Sequence, residues 1–440
     1  MKLRDLRDID WARLNHILLP TPRRGSTELA PKNRRAARVF FLLFDIYRSF
    51  TPLGQFVFVA VLVAAVFSLD IAHSRAYVIF SALAGALYAS LAVSRRFRIP
   101  GLEVKVASPA RIHVGDEMTF DVSCRLAPDA RAPRGPVRVT GPFLPYFGKW
   151  TAPPTYLDGI PAGEARTLTA KARFTRRGDF VIGRFGASAL VPFGLASGPF
   201  VDSERVRVRI VPRPANVAQL TLPLSTRHQP GGVALASRTG ESMDLLGVRP
   251  YRSGDRVRDL HARTWARTRI PAVREYQEEY FTRLGVVVDC HFHGGSRRAK
   301  FASERRFEGA LSLAAGVVAH MTRGEALIDL LVVGGQLHRL TLGRSLGFLD
   351  QALDLLAGAE YDAVPDRAKV ERELFAHVAR LSAVVVVTDE AGDRSERLAT
   401  TIERRGTRVV RLVIDGVRPT SRGVVNVPLS AIEGREALSL

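Results

Sequence analysis

The stretch Thr51–Leu69, TPLGQFVFVAVLVAAVFSL, contains no charged residue. After DIAHSR a second uncharged run follows, Ala76–Ser94, AYVIFSALAGALYASLAVS. Each run is about 19 residues, or roughly 28 Å as a helix, which matches one hydrocarbon thickness. The competing reading is a buried hairpin in a soluble core. Two adjacent uncharged runs of this length favour a transmembrane hairpin over residues 51–98. It is not a cleaved leader, because the first run starts late and the second follows at once. Arg34, Arg35 and Arg38 precede the pair, and Arg95, Arg96 and Arg98 follow it. The connecting loop carries only Asp70, His73 and Arg75. That arginine bias places both ends in the cytoplasm. In the second helix Ser81, Gly85 and Ala89 recur every four residues. Such a face admits close backbone approach, to the first helix or to another protomer. Residues 1–50 read as a cytoplasmic or interfacial segment, with VFFLLFDIYRSF, Val39–Phe50, as an amphipathic interfacial helix.

From residue 99 to 214 the pattern changes to period two. Met118, Phe120, Val122 and Cys124 alternate with Thr119, Asp121 and Ser123. Leu168, Ala170, Ala172 and Phe174 alternate with polar residues, and so do Val206, Val208 and Ile210 with Arg205, Arg207 and Arg209. Half-buried strands look like this. Turn signals such as VGDE, PAGE, RRGD and VPFG separate them. A β-sandwich of immunoglobulin-like shape is expected. The arginine comb reads as a solvated strand face.

Residues 284–440 alternate strand and helix patterns. LGVVVDC, Leu284–Cys290, is a buried strand ending in Asp289. ALIDLLVVGG, LSAVVVVTDE and TRVVRLVIDG read as further strands, the last of them closing the sheet. LGFLDQALDLLAG and DRSERLATTIERRG are helices. GGQLHRLTLG and GRSLG read as short turns. The expected fold is a doubly wound parallel sheet, whose ligands bind at the carboxyl ends of strands, beside Asp289 and Asp389. This arrangement resembles a von Willebrand factor A domain. In that family an Asp-x-Ser-x-Ser after the first strand helps hold a divalent cation. Here Asp289, His291 and His293 stand at those positions, so both serine oxygens are missing. The later Asp of that family matches Asp389 in TDE. No cofactor is expected; Mg²⁺ is the cation a residual site at Asp289 and Asp389 would take. His291 and His293 would suit a softer metal, or stand as two polar loop residues.

The formal net charge is +21, yet Lys occurs only at 2, 32, 105, 149, 171, 300 and 369. Arginine is spread along the whole chain with no aromatic-basic ladder to stack bases, so nucleic acid is not expected as a partner. Anionic lipid is the better match for part of this charge. Cys124 and Cys290 are far apart and lack a CxxC companion, which fits reduced structural thiols.

Within a linking segment, residues 215–283, lies GVRPYRSGDRVRDLHARTWARTRIPAVREY, Gly247–Tyr276. YRSGD reads as a tight turn, with Asp255 placed to cap the helical segment after it. Val257, Leu260, Thr264 and Trp265 share a face at helical spacing, and IPAVREY reads as a strand. The wider stretch Glu241–Tyr276 resembles the signature of the bacterial family called domain of unknown function 58. The matching residues are Glu241, Arg249, Tyr251, Gly254, Asp255, Arg258, His261, Ala266, Arg267 and Val273, Arg274, Glu275. RRGDFVIGRFGASALVPFGL, Arg176–Leu195, is similar to the family's second motif, with Val191 where Asp is usual. The resemblance implies an N-terminal hairpin, a β domain and a von Willebrand-like domain in the bacterial inner (plasma) membrane. It also implies partners: MoxR-type AAA+ ATPases and other von Willebrand-like or transglutaminase-like membrane proteins. An adaptor role follows from it, and no reaction does. The chain shows no nucleophile–base pair, phosphate loop or Rossmann fingerprint. Three readings remain. One is a non-enzymatic scaffold whose 247–276 segment receives an ATPase or pins two domains together. The second is a metal-dependent enzyme using Asp289, His291, His293 and Asp389. The third is an envelope-stress sensor.

Overall fold

The structure is a computed structural model, which describes residues 48–68, 74–133, 135–145, 147–222, 245–276, 283–291, 297–324, 326–342, 347–361, 367–389, 393–415 and 423–440. Most of the expected Val39–Phe50 helix lies outside these residues. The chain divides into two compact units, Met1–Val211 and Pro212–Leu440.

The described part of unit one contains two apolar helices, α1 (Pro52–Ser68) and α2 (Ser74–Ser94), which pack against each other. Among the described residues only Arg75–Ser94 is long and apolar enough to cross a membrane; Pro52–Ser68 is apolar but shorter. The expected small-residue face is not what seals the pair. Ser81, Gly85 and Ala89 are exposed, and a Cβ at Gly85 would meet nothing within 4 Å. Leu87 and Ser90 are buried instead.

The rest of unit one is a sandwich of two sheets. Strands β1 (Leu102–Ala107), β3 (Glu117–Leu126), β7 (Ala165–Phe174) and β5 (Gly148–Ala152) form one sheet in the order β1-β3-β7-β5. The other runs β2-β9-β8-β4-β6, from β2 (Ile112–His113), β9 (Val201–Val211), β8 (Gly178–Ala189), β4 (Val137–Thr140) and β6 (Tyr156–Leu157). Pairing is antiparallel except between β2 and β9. The period-two residues define the core: Met118, Phe120, Val122 and Cys124 on β3 lie beside Ala170, Ala172 and Phe174 on β7, and they share one cluster with Val206, Val208 and Ile210 of β9 in the other sheet. Burial holds the Cys124 thiol up at about 11, so it stays protonated. Arg205 and Arg207 of the comb are exposed, and Arg209 pairs with Asp179 at 2.9 Å.

Unit two contains a six-stranded sheet. Its strands are β13 (Arg283–Asp289), β14 (Leu327–Val333), β15 (Leu337–Leu342), β16 (Ala383–Thr388), β17 (Arg408–Ile414) and β18 (Val424–Val427), in the order β15-β14-β13-β16-β17-β18. All pairs are parallel except β14–β15. Two expectations are corrected. The stretch around GGQLHRLTLG is not merely a turn, because Leu337–Leu342 folds back beside β14 as an antiparallel edge. TRVVRLVIDG is not the last strand, since Val424–Val427 adds to β17. Both missed strands are short and sit at sheet edges, where one exposed side blurs the apolar pattern.

Helices cover both faces, as continuous apolar strands require. Helix α4 (Arg297–Met321) lies against β13, β16 and β17 and touches α5 (Gly347–Gly358). On the other face, α6 (Arg367–Val378) and α7 (Asp393–Arg404) bury Val370, Leu374, Val378, Leu398 and Ile402 on Val287, Val384, Val386 and Val409. The parallel order reverses between β13 and β16, so the switch point lies between the strand ends that carry Asp289 and Asp389. A short parallel pair ties the start of the unit to its end: β10 (Val217–Gln219) runs beside β19 (Leu438–Ser439).

Candidate functional site

Three places assemble polar groups far apart in sequence or unusually dense in charge. The first is the expected 247–276 segment, which folds as a hairpin with a decorated loop. Strand β11 (Leu245–Pro250) pairs antiparallel with β12 (Ala272–Tyr276), setting Gly247 opposite Glu275, Val248 opposite Arg274 and Arg249 opposite Val273. Between them run a turn, a short 3₁₀ segment (Val257–Asp259) and helix α3 (Ala262–Thr268).

Asp255 is not the helix cap expected from sequence. Its carboxylate closes the turn instead, accepting the Arg252 amide at 2.7 Å while the Asp255 amide reaches the Arg252 carbonyl at 3.0 Å. Gly254 takes a φ of 104° there, a conformation that side chains rarely adopt. Both oxygens of Asp255 then receive the Arg249 guanidinium, each at 2.7 Å. A two-bond fork of this kind fixes orientation as well as distance. It holds the Asp255 carboxyl down at about 2, helped by the Arg252 amide. The helix cap is His261, whose Nδ1 accepts from the Thr264 amide at 3.3 Å. His261 also donates its own amide to Ala272, and Tyr251 donates its amide to Pro271, so both sides of the loop are tied to the β12 side of the hairpin.

The single helical face expected for Val257, Leu260, Thr264 and Trp265 does not form. Leu260 bridges to Val273 and breaks the run before α3 begins. Val257 is 73% exposed, and Tyr251, Trp265 and Ile270 are exposed too. Arg263, Arg267, Arg269 and Arg274 are exposed, and none of them has a carboxylate partner among the described residues. Arg258 lies 3.9 Å from the carboxylate of its neighbour Asp259. The side chain of Glu275, along with Glu241 and His293, lies outside the described residues.

The second place is the switch point. Asp289 and Asp389 are both buried there, and the charge of Asp289 acts on Asp389. Asp289 accepts the His291 amide at 3.1 Å. Asp389 accepts the Tyr361 hydroxyl, a contact no sequence pattern suggested. Tyr361 stacks on Phe307 at 4.6 Å between ring centroids and also takes a hydrogen bond from Ser303, whose hydroxyl accepts from Arg306 at 3.3 Å. Burial raises the Asp389 carboxyl, and the Tyr361 bond opposes that rise. Burial and the Asp389 contact push the Tyr361 phenol well above its usual range. This donor set does not fit a hard divalent cation. Such an ion takes six or more oxygens at short range. Here each carboxylate already accepts a protein donor, the Asp-x-Ser position holds His291, and the positive charge nearby is Arg306. Among the described residues no group of three or more His, Cys, Asp or Glu could hold a metal.

The third place lies at the foot of the helix pair, and sequence reading missed it. Residues Arg48–Thr51 lie along the loop after β8. Phe50 bridges Ala196, Ser197 donates its amide to Ser49, and Thr51 donates its amide to Leu195 at 3.1 Å. The Thr51 hydroxyl donates to the Gly194 carbonyl. Arg138, on β4, gives one Nη1 to the carbonyls of Arg48 (3.2 Å) and Phe50 (2.8 Å) and to the Ser197 hydroxyl (3.0 Å). Arg48 pairs with Asp202 at 2.8 Å and lies over the Phe200 ring at 4.2 Å. Gly54, in the first turn of α1, lies so close to Leu195 that a Cβ would fall inside the van der Waals shell of that carbonyl. Gly198 does the same toward Phe97, just after α2. One loop, 191–198, therefore grips the foot of both helices. Its VPFG had read only as a turn; the one available signal was its place in the Arg176–Leu195 motif.

Solved structures with partial likeness are distant. Native alpha-2-macroglobulin from Escherichia coli, spanning domain MG7 to the C-terminus, shares 13% identity over 28% of this chain and 20% of its own, with a TM-score of 0.21. The pilus adhesin RrgA from Streptococcus pneumoniae shares 9% identity over 67% of this chain and 42% of its own, with a TM-score of 0.18. The chain thus spans less than half the length of either. No curated protein matches it. Residues 247–420 match the family model described as protein of unknown function DUF58, which supports the resemblance read from Glu241–Tyr276.

Proposed function

We propose that this chain is a non-enzymatic, membrane-tethered scaffold whose 247–276 hairpin receives a MoxR-type AAA+ ATPase. The observation that carries this reading is the division of labour inside the hairpin. Arg249 is committed to Asp255 and stiffens the turn, while Arg263 and Arg267 stand exposed on α3 near exposed Tyr251, Val257, Trp265 and Ile270. Trp, Tyr and Arg on a preorganised element is the composition of an interface centre. The ATPase as the occupant rests on the family resemblance. In this reading α1 and α2 cross the bacterial inner membrane with both ends cytoplasmic, and the arginines after α2 face anionic lipid. Unit two is read as von Willebrand factor A-like, from its parallel sheet with one antiparallel edge. Its cation position is taken over by the Arg306–Ser303–Tyr361 chain acting on Asp389. The metal-dependent enzyme reading has less support, because one oxygen of each carboxylate already serves a protein donor.

The test is affinity capture of the tagged full chain from gently solubilised membranes, with and without ATP, comparing wild type with Arg267→Ala and Asp255→Ala. The reading expects the ATPase to come down with wild type and to be lost from both variants while each melts as a folded protein. Equal capture by all three sinks it.

A further inference from the structure

We propose that the Pro192–Gly194 turn is a membrane-interface wedge, with Phe193 seated at the headgroup–acyl boundary of an anionic bilayer. The inference rests on the reading of α1 and α2 as membrane helices and goes beyond it, since it assigns a lipid contact to the β-sandwich itself.

Phe193 is 88% exposed, the most exposed large apolar side chain among the described residues. It also holds a φ of 68° and a ψ of −3°, a left-handed conformation that a bulky residue adopts only when its surroundings impose it. Here they do. The Gly194 amide donates to Val191 and the Val191 amide donates to Ala196, each at 3.0 Å, while the Thr51 hydroxyl ties down the Gly194 carbonyl. The turn is thus built to present this ring outward.

Where it presents the ring follows from the helix feet. The residues beside Phe193 touch the first turn of α1 at Thr51 and Gly54, and Gly198 of the same loop touches Phe97 just beyond α2. The loop therefore sits at the level where both helices meet the sandwich. Leu53 and Phe56, exposed on the first turns of α1, begin the apolar surface at that level. Arg95, Arg96 and Arg98, exposed after α2, supply positive charge beside it. An aromatic wedge flanked by arginines matches the chemistry of an anionic membrane surface.

The experiment places a thiol-reactive environment-sensitive dye on Phe193→Cys, Phe56→Cys and Glu117→Cys in the full chain. Cys124 and Cys290 are buried, which directs the dye to the introduced residue. Glu117 starts β3, at the end of that sheet remote from Leu126, which pairs with Leu102 just after the helices. The protein is reconstituted in vesicles of phosphatidylethanolamine and phosphatidylglycerol carrying a lipid-borne quencher, with iodide as the aqueous quencher. The expected result is lipid quenching at 193 and 56, with iodide quenching at 193 several-fold below that at 117. Lipid quenching at 56 with full iodide quenching at 193 overturns the wedge and leaves the membrane helices standing. A dye at 193 shielded from both quenchers means that protein covers the turn, which also overturns it. No lipid quenching at 56 overturns the membrane reading and the wedge together.

Discussion

At the foot of the helices, Arg138 gives one nitrogen to two backbone carbonyls and a hydroxyl, whereas Arg267, near the end of α3, is exposed and faces no carboxylate among the described residues. Burial lowers the Arg138 guanidinium from its usual range, yet its hydrogen bonds hold it in place. Both residues belong to a chain with a formal charge of +21. The difference teaches that the charge total says little about function. An arginine that satisfies internal carbonyls is part of the fold. An exposed one on a stiffened element is available to a partner.

Arg138→Ala should break the comparison most severely. Removing the guanidinium takes a donor from the Arg48 and Phe50 carbonyls and the Ser197 hydroxyl together, a loss of about 3 kcal/mol. A thermal melt of the full chain in detergent would show it as a fall of several degrees. An unchanged melt would mean that the Arg48–Thr51 segment is not held by this residue.

Tyr361→Phe comes next. It removes a hydrogen bond to a buried carboxylate, worth about 2 kcal/mol. The sign of its pH dependence is fixed. Asp389 has a folded-state pKa already raised by burial, so its effect on stability worsens as pH rises from the unfolded value through the folded one. Losing the Tyr361 donor raises that value further. The variant's deficit should therefore shrink on acidification, read from denaturant melts at a series of pH values.

Asp255→Asn sharpens the comparison within the hairpin itself. The Asp255 carboxyl sits at about 2 in the folded chain, below an ordinary aspartate. Its contribution is present above the unfolded value and is lost as pH falls toward about 2. Hydrogen exchange at the Arg252 amide, which donates to this carboxylate, should be faster in the variant at neutral pH and equal to wild type once both are strongly acidified.

The smallest effect on folding belongs to Arg267→Ala. An exposed side chain without a described carboxylate partner should move stability by less than about 0.5 kcal/mol.

Much of the fold was legible in the sequence. Alternation along β3, β7 and β9 marked the sandwich core, because one face of each strand is buried and the other is wet. Uniform apolar runs marked β13 and β16, because helices cover both sides. Asp289 and Asp389 were placed at strand ends and do flank the switch point, at the ends of neighbouring strands β13 and β16. What stayed hidden depends on contacts that local pattern does not encode. Asp255 looked like a cap because it precedes a helix, but Arg249 six residues back claims both its oxygens. Tyr361 reaches Asp389 across 28 positions, and Arg138 reaches the Phe50 carbonyl across 88. Backbone acceptors of that kind leave no residue type to recognise. Of the two partners offered for the Ser81–Gly85–Ala89 face, the first helix is not the one, because the three residues are exposed beside α1 and burial depends on how that helix lies.

The most direct test of the account is the affinity of the proposed partner, a purified MoxR-type AAA+ ATPase, for this chain carrying Arg267→Ala, on a preparation that melts with wild type. The account predicts a Kd weakened at least about tenfold, or roughly 1.4 kcal/mol, with the melt unmoved. An unchanged Kd would contradict it and return the exposed arginines of the hairpin to the role of a solvated surface.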